Sequence, residues 1–420
     1  MNLLVFIFSL ISVTAFADQS CSQGRKIESV EVEAGWAEGF KKTTWTVRAS
    51  CDPLDRFQFH RVEAIDLKNT YEKKRVFLIP GEGWGFQDFE TSLDYLPSGA
   101  VNRATSFAGS LASEGHIVFG FTPRAQLIPG KCEPCNPLVK ACPKGPLFDC
   151  NTMKTWDFES LLQDSEFALN QIRMLPPFTN PVVGGVSLGA LMSIALVNRQ
   201  PQNFEGLFIW EGLLTTKDEA LKERNLKQCK NYTEAVNDGN FIESQGMGLF
   251  KKLYENFKID PTGPSPFGEF LGLPLGASHE DVFYYALTMD QPEPFNERYI
   301  YAVGDWKKHR FDFASVDIVG QAIRSVGYYI PIAEMRDYTC AIAGERDYVS
   351  NLASFKGPVL AIGQEFGFGK AMEDNLKIFA SKDQVQFIYY PGMGHGDGVF
   401  SANRKTLIDQ PVFNWLEKLK

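Results

Sequence analysis

The feature that most constrains this chain is an alternation of short apolar runs, each of strand length, with stretches whose apolar residues recur at helical spacing. The runs fall at residues 75–80, 116–121, 181–186, 206–210, 357–362 and 385–390. Helical spacing falls between or after them, at 101–114, 156–173, 188–198, 370–380 and 401–420. Strands that read as continuous apolar runs are buried on both faces. The pattern therefore predicts an α/β protein with a mostly parallel sheet flanked by helices. Residues 27–34 and 43–48 add two N-terminal strands of alternating or β-branched character. The rhythm breaks between 213 and 355, where Lys, Asn and Tyr are frequent and residues 260–276 are rich in Pro and Gly. That segment reads as a large, mainly helical insertion.

With 44% hydrophobic residues among 420, the chain has ample material for a core. The net charge of −9, from 42 Lys and Arg against 51 Asp and Glu, argues against a protein that grips nucleic-acid phosphates. The first residues set the compartment. Residues 3–11 are almost wholly apolar, and Ala15-Phe16-Ala17 supplies small residues at −3 and −1, so 1–17 reads as a signal peptide cleaved before Asp18. No later run is long enough to span a bilayer. The expected location is secreted or periplasmic. Eight cysteines fit that compartment as disulfides: Cys21, Cys51, Cys132, Cys135, Cys142, Cys150, Cys229 and Cys340. The pairs expected are Cys21 with Cys51 and Cys229 with Cys340. Four of the eight lie in a cysteine-rich stretch, 125–150, whose spacing fits neither a zinc ribbon nor a redox site.

Chemistry concentrates at Gly185-Val186-Ser187-Leu188-Gly189, between an apolar strand and a helix. A serine on so sharp a turn is presented to solvent, and the helix behind it turns backbone N–H groups toward a developing oxyanion. Its hydroxyl needs a base. His395 stands in a Gly-rich loop between the last strand and the last helix, whereas His60, His116, His279 and His309 have no such setting.

These residues resemble the α/β-hydrolase superfamily, in particular its capped serine esterases and peptidases. The likeness covers residues 75–212 and 357–420. It implies a core of 18–212 and 356–420, with 213–355 as the cap subdomain. It also implies Ser187 as nucleophile, His395 as general base, and an oxyanion hole formed by the backbone N–H groups of Leu188 and Glu82. Family members usually carry His-Gly where this chain has Pro80-Gly81. They also place an Asp beyond the seventh core strand, where this chain has Gly367. Glu365 in the same stretch is the first substitute. Glu211, at the end of the sixth core strand, and Asp374 are alternatives.

The implied function is a secreted serine hydrolase acting on a small-molecule or peptide acyl substrate, with no cofactor and no metal. Ester cleavage is the broader expectation. An aminopeptidase would need carboxylates in the cap to hold an amine, for which Glu280, Asp281 and Glu297 are available. An acyltransferase would share the triad, and a binding protein could keep the fold without catalysis.

Overall fold

A computed structural model describes residues 24–65, 74–92, 94, 101–128, 150–176, 178–243, 247–293, 296–327, 329–379 and 382–419. The expected leader and residues 129–149 of the cysteine-rich stretch lie outside them. A nine-stranded sheet runs through the chain. Its strands are β1 (Lys26–Ala37), β2 (Phe40–Arg48), β3 (Arg56–Ala64), β4 (Arg75–Ile79), β5 (Ile117–Thr122), β6 (Val182–Val186), β7 (Gly206–Trp210), β8 (Val359–Phe366) and β9 (Val385–Gly394), in the spatial order β1-β2-β3-β5-β4-β6-β7-β8-β9. From β5 to β9 every neighbouring pair is parallel, while β1, β2 and β3 extend the sheet as an antiparallel meander joined to β5.

Strand periodicity splits the core into two layers. Val76, Leu78, Phe208, Trp210, Leu360 and Ile362 point into one apolar cluster, and Phe77, Ile79, Leu207, Ile209, Val359 and Ala361 into the other. Helix α1 (Phe107–Ser113) packs in the first layer. Helices α2 (Phe158–Arg173) and α3 (Leu188–Arg199) pack in the second. The local sequence fixes the starts of α1 and α2: Ser106 accepts from the Gly109 N–H, and Asp157 forms a reciprocal capping box with Ser160. The helix expected over 101–114 is therefore shorter.

Between β7 and β8 the insertion folds as α4 (Glu219–Asn237), α5 (Met247–Ile259), α6 (His279–Thr288), α7 (Val316–Ser325) and α8 (Ile332–Ile342), with short two-stranded ladders. Its apolar residues join the two layers already described. Leu253, Phe283 and Val319 belong to the first, and Leu221, Tyr338 and Ile342 to the second. Cys229 of α4 and Cys340 of α8 are bonded as expected, with Cα atoms 4.8 Å apart. Cys51 is disulfide-bonded too, while Cys21 lies outside the described residues. Among the described residues no helix is long and apolar enough to cross a membrane.

Candidate active site

The site lies at the carboxyl ends of β4, β6, β7 and β8. The order of the sheet reverses there, because β4 has β5 on one side and β6 on the other, and open α/β sheets present their crevice at such a point. Ser187 sits between β6 and α3 at φ 53° and ψ −123°, a conformation that L-residues rarely adopt. Its N–H donates to the Trp210 carbonyl at 2.9 Å. The flanking glycines are sterically required, since a Cβ on Gly185 or on Gly189 would overlap the Ile79 carbonyl. Ala190 and Leu191 donate back to the Ser187 carbonyl, which leaves the Leu188 N–H in the first turn without an intrahelical acceptor.

Ser187 and His395 line one small cavity of about 80 Å³. Gly81 and Glu82 form another wall, so the expected oxyanion-hole segment stands beside the serine; a Cβ on Gly81 would lie 3.4 Å from that of Ser187. The imidazole is surrounded by rings, with Tyr299, Phe368 and Tyr301 centred 5.1, 5.6 and 6.1 Å away, and His395 is only 6% exposed. Its loop is tied to the insertion: His395 N–H donates to the Ile300 carbonyl at 2.8 Å, and Gly396 N–H to that of Tyr301 at 2.7 Å.

The carboxylate that meets His395 is Glu211, whose Oε2 lies 3.0 Å from Nδ1. Glu365, the first choice from the sequence, is corrected. The expected loop is in fact the end of β8, which runs to Phe366, and side chains at 364 and 365 leave a strand on opposite faces. Glu365 Oε2 accepts from the Gly392 N–H at 2.6 Å. Asp374 falls in the helix Ala371–Asn375, and its side chain lies outside the described residues.

Glu211 is wholly buried and, like Ser187, has positive φ, at 55°. Oε1 accepts from the Gln364 N–H, and Oε2 accepts from the Phe368 N–H at 2.9 Å as well as meeting the imidazole. Gly367 completes the arrangement. A Cβ there would fall on Glu211 Oε2, so the glycine at the family's usual Asp position makes room for a carboxylate arriving from β7.

Several residues enter the site without a sequence signal. Gln364 is fully buried, and beyond its backbone contact with Glu211 its side chain donates to the His395 carbonyl at 3.3 Å and accepts from the Gly398 N–H at 2.9 Å. Asp397 Oδ2 accepts from the Gly394 N–H at 2.7 Å and the Val303 N–H at 3.1 Å, and burial pushes its carboxyl up to about 7. Trp84, Asp88, Tyr299, Tyr301 and Phe400 line the cavity. Of the cap carboxylates considered for an amine, Glu280 and Asp281 face His309 instead, and Asp281 also closes the capping box of α6 with Ser278. The side chain of Glu297 lies outside the described residues.

No protein-family model matches the chain, and no curated protein does. Solved structures match. A Sulfolobus solfataricus protein proposed to be a lipase superposes with a TM-score of 0.60 at 16% identity, over 94% of this chain and 100% of its own. A thermophilic esterase from Thermogutta terrifontis gives 0.45 at 12% identity over 88% and 96%, and a structure from a study of Nitrososphaera gargenis carboxylesterases gives 0.46 at 11% over 87% and 96%. The sheet order, the strained serine between β6 and α3 and the first of these superpositions together show that the chain has the α/β-hydrolase fold.

Proposed function

We propose that the protein is an exported serine hydrolase that cleaves carboxylic esters through an acyl-enzyme. The observation that carries this reading is the shared cavity of Ser187 and His395, with Glu211 bonded to the far nitrogen of the imidazole. With Nδ1–H donated to Glu211, Nε2 is left to take the Ser187 proton as Oγ attacks the carbonyl carbon. The N–H groups of Leu188 and Glu82 receive the oxyanion. The proton then passes to the departing alcohol. Water, deprotonated by the same imidazole, adds to the acyl carbon and releases the acid and Ser187.

The fold neighbour described as a lipase supports this class of chemistry. The apolar leader and the Cys229–Cys340 disulfide support export, with 213–355 acting as a cap over the site. A fluorophosphonate probe tests the reading. The wild type labels and hydrolyses short-chain nitrophenyl esters, and Ser187→Ala does neither; a wild type that fails to label is a binding protein of this fold. The N-terminal residue of the exported protein, expected to be Asp18, tests the leader.

A further inference from the structure

We propose that Asp88 is the recognition residue of this cavity and that the substrate it selects is an acyl compound carrying a protonated amine. The inference builds on the hydrolase reading in that it makes the occupant a substrate. Asp88 lies in the 3-10 turn Phe86–Glu90 that follows the Gly81–Glu82 wall, and it lines the cavity alongside Ser187 and His395. It is 5% exposed, yet its Oδ1 has no hydrogen-bond partner among the described residues.

The cation that acts on it through space, Arg404, is engaged elsewhere. Its guanidinium donates to the Thr91 carbonyl at 2.7 Å, the Thr105 carbonyl at 2.8 Å and Asp409 Oδ1 at 3.2 Å. A buried carboxylate oxygen without a donor is costly, and burial accordingly pushes the free Asp88 carboxyl up to about 7. A ligand ammonium group would supply both the charge and the hydrogen bonds that the protein withholds. The other walls suit such a ligand. The rings of Trp84, Tyr299, Tyr301 and Phe400 offer apolar contact to a carbon stem and π faces to a cation.

The test uses the full exported chain at pH 8 with n-butylammonium and 1-butanol, which share a carbon stem and differ in the charged head. Saturation-transfer NMR measures occupancy of each without requiring turnover. The wild type is expected to bind butylammonium at least tenfold more tightly than butanol, and the ratio to fall to about one in Asp88→Asn while persisting in Asp88→Glu. Because the readout is a ratio within each protein, a partial loss of folding moves both constants together. Equal binding in the wild type, or a preference that survives in Asp88→Asn, overturns the proposal. Preference for the cation in a wild type that resists fluorophosphonate would sink the hydrolase reading, and with it the occupant's role as a substrate, while leaving Asp88 as the residue that recognises the amine. Labelling without cation preference would keep the hydrolase reading and overturn the role of Asp88.

Discussion

The serine end and the carboxylate end of the candidate site are built by opposite means. Ser187 owes its position to five consecutive residues, held by a strand on one side and a helix on the other. The carboxylate owes its position to residues far apart in the chain: Glu211 leaves β7 with positive φ, Gly367 yields the space, and the backbone of Gln364 and Phe368 holds both oxygens. The difference teaches that a local motif tolerates little variation, because every atom in it is close-packed. An acid assembled through space needs only to bring its oxygen to the imidazole.

The sharpest test of that contrast removes one end at a time. Ser187→Ala should lower ester turnover by about 10⁶, and Glu211→Gln by about 10⁴. Glu365→Gln should stay within a few-fold of wild type, since the new amide oxygen can still accept from Gly392. Equal losses for the two Gln variants would break the comparison. Gly367→Ala should cost about 100-fold in turnover by driving a methyl group into the Glu211 carboxylate. Gly367→Asp combined with Glu211→Gly should recover part of the activity that Glu211→Gln loses, because glycine suits the backbone at 211 and the Asp carboxylate returns to the family's usual site. A double variant no more active than Glu211→Gln would show that the acid cannot be moved back.

The smallest effect concerns the loop that carries His395. Burial raises the Asp397 carboxyl to about 7, so the folded chain keeps a proton that the unfolded chain releases near pH 4. Stability is therefore lost as pH rises from about 4 to about 7. Asp397→Asn should remove that part of the slope, and its Tm relative to wild type should be higher at pH 8 than at pH 5. Thermal scans at the two pH values check the sign. Asp88 has the same shift, so the variant should flatten the slope without abolishing it.

Legibility follows contiguity. The strand–serine–helix junction and the runs that form β4 to β9 can be read because each signal sits within a few residues. β3 escapes a sequence reading because Arg56, Arg61 and Glu63 interrupt its apolar pattern; in the fold Arg61 and Lys41 pair with Glu63. The long C-terminal helix expected over 401–420 is broken into a π turn, Lys405–Asp409, and a helix, Gln410–Leu416, with Pro411 in its first turn, where a missing N–H is tolerated. Glu365 looks nearer to the required position than Glu211 because strand length, and hence side-chain parity, cannot be read from the run Val359–Phe366. Tyr299, Tyr301 and Asp88 carry no local pattern at all and become visible only where the fold gathers them.

The bond between Cys229 and Cys340 joins residues 111 positions apart and makes the stretch between them a covalently closed ring. A single protease cut anywhere inside that ring would leave one molecule on a non-reducing gel and two fragments on a reducing one. The segment bearing Tyr299 and Tyr301 would stay tethered to the nine-stranded sheet after such a nick.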